Sequence, residues 1–240
     1  MAERKIIGII PARYASARFP GKPLAMIGNT SMVERVYRQA LKSKTLNHLV
    51  VATDDERIKL HVESFKGNVV MTSPDHQSGT DRCAEVINKA DDKWDIIINI
   101  QGDEPFIDPA QIDLLISCFD DDQTQIATLI KKIVNKEDAK NPNLVKVVKN
   151  VFNYAMYFSR SEIPYNKKDA DYFFSHVGIY GYRQDILEKI SALHESRLEQ
   201  MESLEQLRWL ENGYSIKTAT SDHENISIDT PEDLKKIKLK

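Results

Sequence analysis

Lys5 opens an almost unbroken apolar run, Ile6-Ile7-Gly8-Ile9-Ile10. A run without alternation predicts a strand covered on both faces. Beyond a turn-rich stretch, Ser31 stands as an N-cap with Glu34 at the capping-box position. Val33, Val36, Tyr37, Ala40 and Leu41 then recur at helical spacing. His48 to Ala52 predicts a second strand, and Thr53-Asp-Asp-Glu56 repeats the capping pattern before a second helix. Val69 to Met71 predicts a short third strand. Thr80 is placed as the cap of a helix with Cys83, Val86, Ile87 and Ala90 on its apolar face. Asp95 to Ile100 predicts a fourth strand. Asp108-Pro109 then starts a helix that turns Ile112, Leu115, Ile116 and Phe119 inward.

The second half has a different texture. Strands are predicted at Gln125–Val134, Val145–Val148, Tyr154–Ser159 and Phe174–Tyr182. Helices follow at Gln184–Leu193 and Leu198–Glu211, then a strand at Tyr214–Thr218 and a terminal helix capped by Thr230. Repeated strand–helix units imply an α/β fold, a mixed, mostly parallel sheet with helices on both faces. The later strands read as an extension of that sheet plus a small antiparallel lobe. No internal repeat or low-complexity linker divides the chain, so residues 1–240 read as a single domain.

Bulk properties narrow the classes. At 240 residues, 41% hydrophobic and 29% charged, the chain can bury a sizeable core. A net charge of -3 argues against a nucleic-acid partner. Cys83 and Cys118 are the only cysteines and lack CxxC spacing, so zinc and a disulfide framework are not expected. The apolar run after MAERK is too short for a signal peptide, and no stretch approaches the ~20 residues of a membrane span. The expected setting is cytoplasmic.

Against that acidic background, Pro11 to Leu24, PARYASARFPGKPL, holds Arg13, Arg18 and Lys22, with no Asp or Glu between Glu3 and Glu34. A phosphate-binding P-loop is excluded, since Ser16 stands where that motif has Gly and Pro23 follows Lys22. What remains is a turn of small residues at a strand end, either a solvated basic loop or one whose N–H groups and cations meet a di- or triphosphate. A second loop, Gln101-Gly102-Asp103-Glu104-Pro105, leaves the fourth strand. Its acids are either a capping turn or ligands for a hard divalent cation, with Gly102 letting the backbone approach a ligand. In a mostly parallel sheet both loops reach the crevice beyond the strands' carboxyl ends. Asp229, just before the capping Thr230, is either part of an ordinary Asp-Thr-Pro helix start or a residue that could reach a metal. Ser78 and Gly79 at a helix start are either an ordinary cap or a backbone reader of a base edge or anion.

IIPARYASARFPGKPL, VATDDERI, DHQSGTDR, NIQGDEPF, YFSRSEIPY, HVGIYGYR, ESLEQLR and IDTPEDL occur in that order along nearly the whole chain. Together they resemble the 3-deoxy-manno-octulosonate (Kdo) cytidylyltransferases, also called CMP-Kdo synthetases. The resemblance implies a nucleotide-diphospho-sugar transferase (Rossmann-like) fold forming one nucleotidyltransferase domain, with a sugar-binding and dimerisation subregion at about 150–215. It implies a homodimer, CTP as donor and Mg2+ as cofactor. The implied reaction moves CMP to the anomeric hydroxyl of Kdo, releases pyrophosphate and activates Kdo for lipopolysaccharide synthesis. Carried over by residue, Arg13, Arg18 and Lys22 would hold the triphosphate, and Ala12, Ser78, Gly79 and Gln101 the nucleoside. Asp103 and Asp229 would hold the metal, with Lys22 beside them in catalysis. Arg160, His176, Tyr180, Glu205 and Gln206 would line the sugar-acid pocket. Ala17 stands where the family often has Thr, and His223-Glu-Asn-Ile-Ser-Ile lacks the glycines of the family's loop. A cytidylyltransferase for another acid sugar, a glycosyltransferase of similar fold and a nucleotide-sensing module are the competing readings.

Overall fold

A computed structural model describes residues 4–15, 19–167, 173–223 and 226–237. The chain divides into two compact units, Met1–Asp113 with Glu224–Lys240, and Leu114–His223. Among the described residues no helix is long and apolar enough to cross a membrane.

The first unit runs β1 (Ile6–Ala12), β2 (Met26–Ile27), β3 (Thr30–Ser31), α1 (Met32–Ala40), β4 (His48–Thr53), α2 (Glu56–Ser64), β5 (Val69–Met71), α3 (Gly79–Lys89), β6 (Ile96–Asn99) and the start of α4 (Pro109–Ser117). β1 is central, parallel to β4 on one side and to β6 on the other, and β5 continues beyond β4. Ile10 pairs with Val51, and Ile9 with Asn99. Ile9, Ile10, Val51, Ala52, Ile96, Ile97 and Ile98 are all fully buried. Both faces of these strands are covered, which is why the sequence shows runs rather than alternation. Each such Ile or Val contributes about 1.5–3 kcal/mol by leaving water.

The crossovers β1–α1–β4 and β4–α2–β5 step one way, and the chain then returns past β1 to β6. Right-handed crossovers put α1 and α2 on one face and α3 on the other. The reversal makes β1 a switch point, with a crevice beyond the carboxyl ends of β1 and β6.

Local signals place the helices well but mis-assign two caps. Ser31 caps α1, its hydroxyl accepting from the Glu34 N–H. The α2 cap is Asp55, not Thr53, which is the fully buried last residue of β4. The α3 cap is Ser78, in a reciprocal box with Asp81, and Thr80 lies inside the helix. Ser78 and Thr80 both stand near an acid, and the path of the chain leaving β5 decides between them. β1 also extends to Ala12, so the basic loop begins later than predicted.

The second unit contains β7 (Ile126–Ile133), β8 (Lys146–Lys149), β9 (Ala155–Ser159), β10 (Phe173–Arg183), α5 (Gln184–Ser191), α6 (Arg197–Glu202), α7 (Gln206–Glu211) and β11 (Ile216–Thr220). β11 pairs parallel with β7, while β7–β10, β10–β8 and β8–β9 are antiparallel. The single helix predicted at Leu198–Glu211 is two. Ser203, with φ 52° and ψ 51°, ends α6 in the left-handed region, and α7 starts afresh. Several aromatic strand residues face the unit's own core, while Tyr154, Tyr157 and Phe174 are half-buried. Phe158, Phe173, Tyr180 and Tyr182 are buried, the two tyrosines packing edge-on against Trp209 at 5.1 and 5.6 Å.

Candidate active site

Three loops beyond the strand ends of the first unit enclose a cavity of about 450 Å3. It is lined by Pro11, Ala12 and Arg13 after β1, by Gln77, Ser78 and Gly79 entering α3, and by Gln101, Gly102 and Asp103 after β6. Lys22 and Pro23 close one side, and Arg82 is also in the lining. Of the residues assigned to the nucleotide, Ala12, Arg13, Lys22, Ser78, Gly79 and Gln101 therefore share one cavity. Arg18 lies outside the described residues.

The cationic centre is compact. Lys22 Nζ lies 2.7 Å from Asp103 Oδ2 and 3.3 Å from Asp229 Oδ1. The sequence reading gave Lys22 to the phosphates and the acids to a metal. In this structure the ammonium sits on both carboxylates. What brings Asp229 there is a backbone tie, the Ile228 N–H donating to the Asp103 carbonyl at 3.0 Å. Ile228 is buried against Ile27 and Met32, with Phe19, Phe106 and Leu234 packed on that cluster. Thr230 and Asp233 then form a capping box that starts the helix Pro231–Lys236 and fixes where Asp229 stands. Without glycines before it, Asp229 still stands 3.3 Å from the Lys22 ammonium that also meets Asp103.

Two carboxylates converging on one cationic atom are the hard-oxygen donor set that Mg2+ takes, completed by water and phosphate oxygens. Among the described residues no group of three or more His, Cys, Asp or Glu gathers as a metal site. The protein's own contribution would be these two acids. Glu104, the neighbouring acid, is buried instead.

The glycines at the site have reasons the sequence reading did not give. A Cβ on Gly102 would stand 2.8 Å from the Pro11 carbonyl oxygen, so β1's own backbone already approaches closely there. A Cβ on Gly79 would meet Asn99 Nδ2 and Pro11 Cγ at 3.3 Å.

Two positioning groups were not singled out from the sequence. Arg82 is fully buried, with Nη2 donating to Asp54 Oδ2 at 3.0 Å and Nη1 bonding the Thr72 hydroxyl. It ties α3 to the ends of β4 and β5. Its place next to Cys83 on a buried face was the available signal. Glu85 accepts from the Ser73 N–H at 2.8 Å and pairs with His76, pinning the loop that carries Gln77 and Ser78. Burial works to raise the Glu85 pKa, but the Lys89 ammonium, the Ser73 N–H and His76 hold it at about 2.

The five residues assigned to a sugar acid all lie in the second unit. His176 and Tyr180 are neighbours on β10, ring centroids 5.1 Å apart, and His176 Nε2 lies 3.0 Å from Thr128 Oγ1. Burial depresses the His176 pKa to about 4, so the imidazole is neutral at physiological pH. Burial, reinforced by the Glu205 carboxylate, raises the Tyr180 phenol well above its ordinary value. Gln206 is 5% exposed and its Nε2 is buried without a hydrogen-bond partner among the described residues. Gln206 is therefore not part of a solvated helix face. Arg160 has a job of its own. Its Nε donates to the Glu202 carbonyl at 2.7 Å, Nη2 to the Ser203 carbonyl at 3.3 Å and Nη1 to the Pro142 carbonyl at 3.2 Å. Two of those are carbonyls at the end of α6, where a helix leaves its last acceptors unmet. An Arg carries five N–H donors, so some of its capacity remains for a carboxylate.

Comparison with known proteins gives concordant matches. A family model described as cytidylyltransferase matches residues 7–226. A 3-deoxy-manno-octulosonate cytidylyltransferase from Parabacteroides distasonis is 54% identical over 243 residues, covering 97% of this chain and 96% of the relative. An 8-amino-3,8-dideoxy-manno-octulosonate cytidylyltransferase from Shewanella baltica is 49% identical over 232 residues, covering 95% of each. The solved structure of a CMP:2-keto-3-deoxy-manno-octonic acid synthetase complexed with CTP superimposes with a TM-score of 0.92 at 44% identity, over 97% of this chain and 96% of that one.

Proposed function

This chain belongs to the 3-deoxy-manno-octulosonate cytidylyltransferases, within the cytidylyltransferase family, and from that premise we propose that it transfers CMP from CTP to the anomeric hydroxyl of Kdo. The observation that carries the reading is the convergence of Lys22, Asp103 and Asp229 at the edge of the cavity lined by Arg13, Ser78, Gly79 and Gln101.

In the reaction the Kdo hydroxyl oxygen attacks the α-phosphorus in line, the bond to the β-phosphate oxygen breaks, and pyrophosphate departs with the electron pair. The hydroxyl proton passes to solvent. Positioning and charge stabilisation carry such transfers. Ser78 and Gly79 present backbone to the nucleoside, and Arg13, exposed at the mouth, meets the phosphate tail. Lys22 takes up charge on the departing pyrophosphate. Asp103 and Asp229 would hold Mg2+, which when bound supplies Lewis acidity that lowers the hydroxyl pKa and offsets phosphate charge. Arg160 offers its remaining N–H donors to the sugar carboxylate, while His176, Tyr180, Glu205 and Gln206 define the rest of that pocket in the second unit.

The homodimer belongs to this proposal. The second unit exposes Val151, Phe152, Met156 and Tyr165, next to an open cavity of about 670 Å3 lined by Val147, Met156, Pro164 and Phe174. Met156→Lys should lower the mass seen by sedimentation if that face joins two copies. A cytoplasmic setting, where CTP is made, completes the reading.

The test is pyrophosphate release with CTP and Mg2+, with and without Kdo. No Kdo-dependent release would sink the assignment. The Shewanella baltica relative makes 8-amino-Kdo the second acceptor to run in parallel. The kcat/KM ratio between the two acceptors decides which is the natural one.

A further inference from the structure

The basic loop leaves β1 at Ala12 and comes back at Gly21, where the Gly21 N–H donates to the Tyr14 carbonyl at 2.9 Å. That bond closes the neck of the loop. Two of the three cations in the cavity lining flank this neck, Arg13 one residue before Tyr14 and Lys22 one residue after Gly21. Gly21 is left-handed, φ 72° and ψ 12°, a conformation that disfavours any side chain. A Cβ there would also stand 3.2 Å from the Tyr14 ring, so the ring packs on the glycine. On Tyr14 lies a third group, the Arg57 guanidinium, with Cζ 3.3 Å from the ring centroid.

Arg57 is itself held in orientation. Its Nε donates to Asp55 Oδ1 at 2.9 Å and its Nη2 to Asp55 Oδ2 at 2.6 Å. Asp55 is the N-cap of α2, accepting also from the Arg57 backbone N–H at 2.9 Å. Its carboxyl is held below its usual range, first of all by the Arg57 side chain. A planar guanidinium can stack on a ring and fork onto a carboxylate at once, which a lysine cannot.

We propose that Tyr14, clamped between Gly21 and Arg57, is a positioning residue that presents Arg13 and Lys22 to the triphosphate. The inference rests on the nucleotidyl-transfer reading of the same site. Tyr14 and Arg57 touch neither phosphate nor sugar in this scheme. They act by fixing the neck from which both cations project, so their loss raises the CTP requirement and leaves recognition of the sugar acid alone.

Calorimetric titration of CTP with Mg2+, alongside steady-state kinetics, tests this on wild type, Tyr14→Leu, Tyr14→Phe and Arg57→Ala. Tyr14→Leu should weaken CTP binding about tenfold and Arg57→Ala about threefold, the scale of a stacked ring and an exposed cation–π contact. The KM for Kdo should not move, and Tyr14→Phe, which keeps the ring face, should match wild type. CTP affinity within about twofold of wild type in Tyr14→Leu overturns the proposal, as does a loss in Tyr14→Phe equal to that in Tyr14→Leu. Arg57 is exposed, so Arg57→Ala carries the test alone if Tyr14→Leu fails to fold, and an unchanged affinity there also overturns it. If wild type does not bind CTP, the nucleotidyl-transfer reading fails, and the variants are titrated with tripolyphosphate. Affinity must then fall in the same order, or the positioning role fails too.

Discussion

Replacing Lys22 with methionine should make the nucleotide-free protein bind Mn2+ more tightly while nearly abolishing turnover. The two effects have opposite sign and one origin. The Lys22 ammonium stands 2.7 Å from Asp103 and 3.3 Å from Asp229, where a divalent cation would need the same oxygens. At an effective dielectric constant of about 20, unit charges at those separations attract by about 5–6 kcal/mol each. Asp103 is 28% and Asp229 41% exposed, so screening and desolvation remove most of that. A net of roughly 2 kcal/mol for the ammonium on the pair is the remaining scale. A metal entering the site must displace it, so its removal strengthens metal binding by about thirtyfold. Turnover meanwhile loses a charge on the leaving pyrophosphate, worth about 10²–10³ in rate. Mn2+ titration followed by the EPR signal of the free ion reads the first effect, and pyrophosphate release reads the second. Mn2+ affinity that is unchanged or weaker in Lys22→Met would refute the shared use of these carboxylates.

Asp103→Asn should slow pyrophosphate release by orders of magnitude with CTP affinity largely kept, and near wild-type turnover would rule Asp103 out as a metal ligand. Gly102→Ala forces a Cβ to within 2.8 Å of the Pro11 carbonyl unless the backbone shifts. A cost of about 1–3 kcal/mol, or roughly 2–12 °C in Tm, is expected by calorimetry, and a Tm within about a degree of wild type would contradict the geometry. The Glu85 carboxyl is depressed from 4.5 to about 2, so its contribution is fully present above about pH 4.5 and is lost as pH falls toward 2. Glu85→Gln should therefore flatten the acid limb of Tm against pH across that window, and an unaltered limb would show that the clasp on His76 and Ser73 is weaker than its geometry implies.

Much of the architecture was legible along the chain because it is written in short-range terms. Ile6 to Ile10 is an unbroken apolar run, and Ile96 to Ile100 is broken only by Asn99, because both faces of those strands are covered, and helical periodicity marked the inward faces of α1 and α4. The motifs also named the chemistry, since cations, acids and turn residues each have local signatures. Where two local choices were nearly equal, sequence reasoning chose wrongly. Thr53 and Thr80 were taken over Asp55 and Ser78 because all four are residues that cap helices, and the direction in which the chain leaves a strand separates them. The break at Ser203 was missed because the flanking residues are good helix formers, and the carbonyls it frees are met by Arg160, 43 positions away. The active centre itself is the plainest case. Lys22 meets Asp103 across 81 positions and Asp229 across 207. Sequence alone determined which groups were present. That they meet around one point was decided by parallel strands ending at a common edge and by buried Ile228 drawing the far end of the chain onto Asp103. Such contacts depend on the packing of the whole unit, which no local window contains.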